Sequence, residues 1–517
     1  MNSRSKADAY LKISSQFRLG DLDTEKPHPK TTELSTLAKT DILKAISVLK
    51  EVDIEALDKV RKKDSEILRM KADIEVTLHN EHRIFLVGCG ATGRLSLVIE
   101  VLWRKLKAGT KYENSVISLM AGGDTALIRS IEGFEDYPAF AARQLHEFGF
   151  SEGDLLITCT EGGETPFVIG AVEYAAEIST ASPYFLYCNP DEILMGLTER
   201  TTRILNNTSV NRINLSVGPM ALSGSTRMQA STVLMYAVGL ALLNTFEKIN
   251  IESDVDRFIN YIRNVDYGFL SSYINKEYNI YNAGSFLLYS THDDLGISIL
   301  TDTTERSPTF TLYPFNNYLI KEHPPSLAYL FMPDARDSSS AWRSLLFRDP
   351  RPLNWIEYPV TADNYLLGFD FSLKGLKKRK EKVSPSECEI FYIRRDPGRY
   401  SFNLLGETQI VSVEGLTLLQ QHLLLKMMLN IMSTLIMGKL GRYESNLMIY
   451  VTPSNNKLID RAARYVGILL ERSGIIPIYE DIVYELYEQM EKGIGTRSLV
   501  LDTFSKIAEG KQFETKK

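Results

Sequence analysis

At 517 residues the chain is too long for one compact hydrophobic core, so its length predicts two or more α/β domains. Hydrophobic residues make up 44% of the chain and charged residues 24%, which are the proportions of an ordinary soluble protein. The net charge of −6 and the isoelectric point of about 5.8 argue against nucleic acid or an anionic membrane as partners. The cysteines form no CxxC pair and the N-terminus is polar, so we expect a cytoplasmic protein with reduced thiols.

The first part of the chain has a helical pattern and then alternates between strands and helices. Apolar residues between Thr36 and Leu78 recur with a period of about 3.6, which predicts a helical segment over residues 1–80. The strands predicted next are Ile84–Gly88, Ser115–Gly123, Leu155–Thr160 and Tyr184–Asn189, with helices over 93–107, up to Ile131 and over 166–178. Continuous apolar strands that alternate with helices are typical of a parallel sheet covered on both faces.

The alternation stops near Asn250 and starts again near Ser285. The charged stretch Asn250–Asp266 predicts a linker, and the later strands are Ser285–Ser290, Ala328–Pro333, Glu389–Arg394 and Asn446–Val451. The apolar stretch Leu416–Gly438 contains several polar side chains, so we expect a buried helix and no membrane span. The shared order of elements indicates an internal duplication. The predicted domains are residues 1–80 (helical segment), 81–248 (first domain, with the ligand site), 249–275 (linker), 276–470 (second domain) and 471–517 (helical cap and tail).

The first loop, Gly88–Gly93, follows a strand and opens a helix. Its glycines let backbone N–H groups approach an anion, the helix N-terminus adds a positive dipole end, and Thr92 offers a hydroxyl. The GxGxxG spacing also fits a dinucleotide turn, but the next strand, Ser115–Gly123, does not end in an acidic residue. The histidines are scattered without an HExxH motif, so we predict no metal and no cofactor.

The third loop, Ser223–Met228, places three hydroxyls and an arginine before a long helix. Ser223, Ser225, Thr226 and Arg227 could cap this helix or bind a phosphate or sugar hydroxyls. Capping needs one hydroxyl, so the pattern favours ligand binding. Glu135, in the sequence IEGFEDY, is either part of a solvated face or a hydroxyl acceptor and proton-transfer base, and the residues alone leave both open.

The second loop, Thr160–Thr165, carries two glutamates. A carboxylate beside a phosphate dianion is repulsive by about 1 kcal/mol or more per charge pair in partly screened surroundings. Either Glu161 and Glu164 both point away and leave the two threonines as donors, or the ligand differs from a plain sugar phosphate. A hexosamine or a bound cation would reconcile the glutamates with ligand binding.

Together these motifs resemble the sugar isomerase (SIS) domain family, in the branch of the N-acetylmuramic acid 6-phosphate etherases and the animal glucokinase regulatory protein. The resemblance rests on GCGATGRLS, MAGGDTALIRSIEGFEDYP, TCTEGGETPFVIGAVEYA, CNP and GPMALSGSTRM, and in the second half on KMMLNIMSTLIMGKLG and TPSNNKLIDRAARYV. It implies an α/β fold of two tandem SIS domains, as in the regulatory protein. Each domain would be an αβα sandwich with a parallel sheet, beside the N-terminal helical segment and a short C-terminal helical cap.

The resemblance also implies a site for a sugar phosphate. Glu135 matches the etherase base, and Lys457 matches a lysine that the regulatory protein brings to the sugar phosphate from its second domain. The predicted ligand-binding residues are Gly90, Thr92, Gly93, Glu135, Thr160, Gly162, Glu164, Thr165, Ser223, Ser225, Thr226, Arg227 and Lys457.

One position departs from the etherase pattern in a way that bears on catalysis. The etherase acid stands eight residues after the first-loop arginine, and counting from Arg94 this position is Leu102. Glu100 is two residues early, about 200° around a helix, so we expect it to face elsewhere. Loss of a general acid typically costs about 10²–10⁴ in rate.

Three functions follow as hypotheses. The first is a non-catalytic regulator or sensor that responds to a sugar phosphate, with a sugar kinase as candidate partner. The second is a lyase or isomerase acting on an amino-sugar phosphate, with Glu135 as base and Glu161 or Glu164 as acid. The third is a scaffold without a working site. The two domains could pair within a monomer, or the chain could form a homodimer.

Overall fold

The chain folds around two five-stranded sheets joined by a layer of long helices. The computed structural model describes residues 2–131, 133–292, 294–320, 322–453, 455–493 and 497–514, so the end of the predicted tail lies outside the described residues. The N-terminal helices are α1 (Ser3–Leu11), α2 (Leu34–Thr40), α3 (Ile42–Arg61) and α4 (Asp64–His79). The predicted helical segment is therefore confirmed. Helix α3 buries an apolar stripe that includes Leu49, Val52 and Leu57.

The first sheet is entirely parallel, as predicted. Its strands are β1 (Ile84–Gly88), β2 (Val116–Met120), β3 (Leu155–Cys159), β4 (Tyr184–Tyr187) and β5 (Asn211–Asn214), in the order β2-β1-β3-β4-β5. The helices of this half are α5 (Ala91–Leu106), α6 (Pro138–Glu147), α7 (Pro166–Ile178), α8 (Asp191–Leu194), α9 (Glu199–Asn206) and α10 (Gln229–Leu243). Strand β2 lies on one side of β1 and β3 on the other, which makes the crevice between β1 and β3 the topological switch point where ligands bind in such sheets.

The helix predicted up to Ile131 is wrong. A single 3₁₀ turn, Asp124–Leu127, follows β2, and the residues described between this turn and α6 form no helix. Gly122 and Gly123 both have positive φ, which turns the chain sharply and prevents a helix from starting directly after the strand.

The predicted linker is also wrong, because this stretch is helical and packed. The helices are α11 (Ile251–Asn264) and α12 (Leu270–Asn282). Helix α11 buries Val255, Phe258 and Ile262 at helical spacing, although charged residues fill its other face. Because charged residues dominate this stretch, the apolar stripe was not recognised in the sequence.

The second sheet is mixed, so the predicted parallel sheet is only half correct. Its strands are β6 (Phe286–Ser290), β7 (Ala328–Phe331), β8 (Cys388–Asp396), β9 (Arg399–Leu404) and β10 (Glu407–Ser412), in the order β10-β9-β8-β6-β7. Strands β6, β7 and β8 are parallel, whereas β8, β9 and β10 form an antiparallel meander. The turns of this meander contain Gly398 and Gly406 at positive φ, as tight hairpins require.

The strand predicted at Asn446–Val451 is absent, and the segment instead ties the two halves together. Ser223 donates its N–H to the Asn446 carbonyl at 2.8 Å. The Asn446 amide donates to the carbonyl of His28 and to the hydroxyl of Thr31, both at 2.9 Å. The segment thus fixes the third loop against the N-terminal region.

The remaining helices are α13 (Leu295–Phe310), α14 (Ser338–Leu346), α15 (Asp363–Leu367), α16 (Leu373–Val383), α17 (Leu418–Lys439), α18 (Asn456–Arg472), α19 (Tyr479–Glu491) and α20 (Leu499–Glu514). Helices α19 and α20 form the predicted C-terminal cap. Helix α17 is buried between α10 and α13, which confirms the predicted core helix. In the described ranges, no helix has the length and apolar character needed to cross a membrane.

A buried cluster of charges joins the two sheets on the side of α5. Glu100 accepts hydrogen bonds from Arg104 (3.2 Å), Arg348 (3.1 Å) and Arg351 (3.1 Å). Burial alone would raise the pKa of Glu100, but these three guanidinium groups lower it to about 2. Arg348 also binds Asp124 at 2.6 Å. Glu100 therefore faces the second half, as expected from its offset of two residues.

The second sheet has a matching helix N-terminus, at α13, where a carboxylate of the chain itself lies. Asp294 precedes α13 and contacts His422 (3.0 Å), Lys105 (3.1 Å) and Arg395 (2.6 Å). Burial would raise the pKa of Asp294, yet its hydrogen bond to His422 and the neighbouring cations hold that pKa well below its usual range.

Replacement of Arg348 by alanine should destabilise the protein by about 2–4 kcal/mol, because it leaves Glu100 and Asp124 buried with fewer partners. Denaturant unfolding measures this loss. Arg343→Ala is the matched control on α14, since Arg343 and Asp349 pair at the surface with side chains 64% and 73% exposed. Equal losses in the two variants would contradict the prediction.

Candidate functional site

A cavity of about 270 Å³ lies at the carboxyl ends of β1 and β3, at the switch point of the first sheet. The three loops identified in the sequence form one side, and α18 of the second half closes the other. The predicted site residues that line it are Gly90, Glu135, Gly162, Glu164, Thr165, Ser225, Thr226, Arg227 and Lys457. Thr92, Gly93, Thr160 and Ser223 lie behind this wall.

The first loop is held in shape by Thr92. The Thr92 hydroxyl donates to the Cys89 carbonyl at 2.9 Å and accepts from the Cys89 N–H at 3.0 Å. Gly90 has φ of 55° and precedes α5 directly, so the positive end of that helix opens into the cavity. A side chain at Gly93 would collide with Met120, 2.5 Å from an added Cβ. Thr92 and Gly93 therefore shape the loop and do not face the ligand.

The second loop turns both of its glutamates toward the cavity. The Thr160 hydroxyl bonds to the Thr165 hydroxyl at 3.0 Å and accepts the Gly163 N–H at 3.2 Å, so Thr160 braces the loop from behind. Glu161 and Glu164 both line the wall. Of the two alternatives left open by the sequence, the one in which both glutamates point away is therefore wrong.

Glu164 is clamped between two cations. Lys457 of α18 donates to one carboxylate oxygen at 2.7 Å, and Arg200 donates to the other at 2.7 Å. Burial would raise the pKa of Glu164, but Lys457 and Arg200 together lower it. Burial alone would lower the pKa of Lys457, but the carboxylates of Glu164, Glu135 and Glu25 raise this pKa above its usual range. The charge of Lys457, at the unfavourable positive end of α18, is thus maintained by carboxylates of the opposite half.

Glu161 has a different environment. Burial raises the pKa of Glu161 to about 7, and the nearby carboxylate of Glu305 adds to the effect, whereas a backbone hydrogen bond, the Thr226 hydroxyl and Lys457 lower this pKa. Its contact with the Ser231 hydroxyl is 3.5 Å long. Near neutral pH this side chain therefore exists both as a carboxylic acid and as a carboxylate.

The third loop divides its residues between the cavity and the interface of the two halves. The Ser223 hydroxyl donates to the Glu25 carbonyl at 2.7 Å, behind the wall. Ser225 lines the cavity, and its buried hydroxyl has no hydrogen-bond partner among the described residues. The Arg227 guanidinium binds Asp302 (2.9 Å) and the hydroxyls of Ser433 (2.9 Å) and Thr434 (2.7 Å).

Arg227 was predicted to bind the ligand, but its guanidinium group contacts residues of the second half instead. The side chain passes along the cavity wall, but the guanidinium reaches the second half and forms a buried ion pair. We therefore assign Arg227 to the interface of the two halves.

Glu135 lines the cavity beside the first loop. The Cys89 thiol donates a weak hydrogen bond to Glu135 at 3.7 Å, and the Glu135 carbonyl accepts the Phe167 N–H at 3.0 Å. Burial, together with the charges of Glu135 and Glu161, raises the pKa of the Cys89 thiol. By contrast, Leu102 is fully buried in α5 and does not line the cavity, so no acid stands at the position of the etherase acid.

Several wall residues were missed by the sequence analysis. They are Leu22, Thr24 and Glu25 from the N-terminal region, Cys89, Ala91, Ser130 and Gly224 in or near the loops, Glu305, Pro308 and Thr309 from α13, and Met448, Asn455, Leu458 and Arg461 around α18. Arg461 binds Glu25 at 2.6 Å. Its spacing of four residues from Lys457 on one helix could have indicated it, whereas no pattern marks Glu25. Among the described side chains, no group of three His, Cys, Asp or Glu is arranged to hold a metal.

Part of the chain is similar in sequence to known proteins. The family model of the glucokinase regulatory protein N-terminal SIS domain matches residues 66–176. An N-acetylmuramic acid 6-phosphate etherase of Mesorhizobium japonicum is 32% identical over 44% of this chain and 69% of its own length. The corresponding etherase of Rhodopirellula baltica is 33% identical over 42% of this chain and 66% of its own. The matches thus span about two thirds of each relative.

Two solved structures are also similar. A chain of Silicibacter pomeroyi described as a phosphosugar isomerase has 11% identity and a TM-score of 0.42, covering 77% of this chain and 99% of that one. A phosphoheptose isomerase of Neisseria gonorrhoeae has 15% identity and a TM-score of 0.27, covering 37% of this chain and 92% of that one. The chain belongs to the sugar isomerase (SIS) family, in the branch that includes the N-acetylmuramic acid 6-phosphate etherases.

Glu161→Gln should stabilise the protein at alkaline pH. The pKa of Glu161 is about 7 in the folded chain and about 4.5 in the unfolded one, so its contribution to stability is full below pH 4.5 and is lost as the pH rises through 7. A neutral amide avoids that loss, so the variant should exceed the parent by about 1–3 kcal/mol at pH 8.5 and match it near pH 4.5. Denaturant unfolding at both pH values tests this, with Glu488→Gln, an exposed carboxylate of α19, as control. A difference independent of pH would contradict it.

Proposed function

We propose that the chain binds a sugar phosphate in this cavity and acts as a non-catalytic regulator or sensor of sugar metabolism. The observation that carries the proposal is the position of Lys457, which reaches from the second half to the loops of the first. A ligand in the cavity would contact both halves at once, and its binding would favour one arrangement of the two. The family match and the names of the etherase relatives support a sugar phosphate as the ligand.

The phosphate would bind where donors converge. The N-terminus of α5 at Gly90 and the unpaired hydroxyl of Ser225 supply uncharged donors. The Lys457 ammonium supplies the positive charge, but Glu164 already neutralises it at 2.7 Å. An incoming phosphate must therefore share Lys457 with Glu164 or displace that carboxylate. This competition links ligand binding to the contact between the halves.

The absence of an acid at the etherase position supports a non-catalytic role. Elimination of a lactyl ether needs a base to take a proton from carbon and an acid to protonate the leaving oxygen. Glu135 lines the cavity and could be the base, while the acid position holds the buried Leu102. As partner class we propose a sugar kinase, and we propose that the two halves pair within one chain.

A second candidate function is a lyase acting on an amino-sugar phosphate. It is favoured by Glu161, which lines the same cavity as Glu135 and carries its proton up to a pKa of about 7. A proton donor with a pKa near the working pH is well matched to general acid catalysis. In this alternative Glu161 takes the role of the missing acid.

Lactate release from N-acetylmuramic acid 6-phosphate separates the two candidates. The full chain should release no more lactate than Glu135→Gln. Release that is lost in both Glu135→Gln and Glu161→Gln would overturn the non-catalytic proposal and establish the lyase.

Lys457→Ala should weaken binding of fructose 6-phosphate about tenfold to hundredfold, because it removes a charge-assisted hydrogen bond to phosphate. Glu164→Gln should strengthen binding about threefold to tenfold, since it removes a repulsive charge and frees Lys457. Isothermal titration calorimetry measures both, and Lys492→Ala, an exposed lysine after α19, is the control. Parent affinity in Lys457→Ala would refute the cross-domain contact.

A further inference from the structure

The cavity wall has more negative than positive side chains. Its carboxylates are Glu25, Glu135, Glu161, Glu164 and Glu305, and its cations are Arg227, Lys457 and Arg461. Each cation is already paired with a carboxylate of the protein: Arg461 with Glu25 (2.6 Å), Lys457 with Glu164 (2.7 Å) and Arg227 with Asp302 (2.9 Å). Each wall cation is therefore engaged by a carboxylate before an anion enters, although Lys457 shares Glu164 with Arg200.

Three of the five wall carboxylates are paired with a cation: Glu25 with Arg461, Glu164 with Lys457, and Glu305 with Arg94 of α5. The other two, Glu135 and Glu161, have no such partner. For Glu135 and Glu161, no lysine, arginine or histidine nitrogen of the described residues lies within 4.0 Å. Glu135 accepts a weak hydrogen bond from the Cys89 thiol at 3.7 Å, and Glu161 is contacted by uncharged groups, namely the Ser231 hydroxyl at 3.5 Å, the Thr226 hydroxyl and a backbone N–H. Glu135 and Glu161 are thus the two wall carboxylates that no cation of the described residues neutralises.

These charges conflict with a ligand that is only anionic. Each unpaired carboxylate repels a nearby phosphate by about 1 kcal/mol or more. A ligand that also carries a protonated amine turns this repulsion into attraction. The wall residue Ser225 has a buried hydroxyl without a partner among the described residues, and a small rotation of this side chain would offer a donor to the anionic or hydroxyl part of the same ligand. Donor and acceptor groups for a zwitterion therefore line one cavity.

We infer that the ligand is a hexosamine phosphate with a free amine, and that the Glu161 carboxylate binds the ammonium group. This inference rests on the proposed sugar-phosphate site and narrows its ligand class. An N-acetyl group carries no charge and adds bulk, and a hydroxyl donates a hydrogen bond to the carboxylate but carries no positive charge to neutralise it. The free amine should therefore be selected over both.

Titration calorimetry of the full chain at pH 7.5 with three probes tests the inference: glucosamine 6-phosphate, glucose 6-phosphate and N-acetylglucosamine 6-phosphate. The amine should bind about tenfold to hundredfold more tightly than the other two, as expected for a charge-assisted hydrogen bond. Glu161→Gln should abolish this preference, while Glu488→Gln should keep it. Lys457→Ala should weaken all three probes by a similar factor, since each carries the same phosphate.

The outcomes distinguish a failure of amine recognition from a failure of the proposed sugar-phosphate site. Equal affinities for the three probes, or a preference that survives Glu161→Gln, would overturn amine recognition and leave the sugar-phosphate site intact. If none of these probes nor fructose 6-phosphate bound, the proposed function would fail together with the inference. Denaturant unfolding of Glu161→Gln at pH 7.5 is the control for folding. The variant is expected to be at least as stable as the parent, so that a lost amine preference reflects the missing carboxylate and not an unfolded chain.

Discussion

The structure depends on buried charges that are neutralised in part across the two halves of the chain. Arg227 of the first half binds Asp302 and two hydroxyls of the second half. Glu100 of the first half binds Arg348 and Arg351 of the second half. A buried charge that loses its partner costs several kcal/mol, about 3–5 in measured cases. These ion pairs therefore fix the position of one half relative to the other. Because Arg227 is also part of the cavity wall, they fix the shape of the cavity as well.

Asp294 marks a difference between the two related sheets. The N-terminus of α5 opens into the cavity, whereas at the N-terminus of α13 the Asp294 carboxylate binds His422, Lys105 and Arg395. An external anion there would have to displace a carboxylate that is tethered to the chain and held by three groups. The second half contributes Lys457 and Arg461 to the first site instead.

Much of the first half could be predicted from sequence, because continuous apolar strands and glycine turns are local patterns. The second sheet was only partly predictable, since its antiparallel meander depends on two tight turns and not on a long-range period. In the site, residue types pointed to the correct loops but not to the direction of each side chain. Thr92 and Arg227 turn toward the protein, and Glu161 turns toward the cavity. Glu25 reaches the wall by tertiary packing alone.

The wall residues are spread along the chain from Leu22 to Arg461. The region matched by the family model, residues 66–176, holds the first two loops but neither Glu25 nor Lys457. A fragment limited to that region would carry Glu161 and Glu164 without the lysine that neutralises the latter, so it would repel phosphate. Screening for ligands is therefore informative only with the whole polypeptide, and a negative result from a shortened one says nothing about the native site.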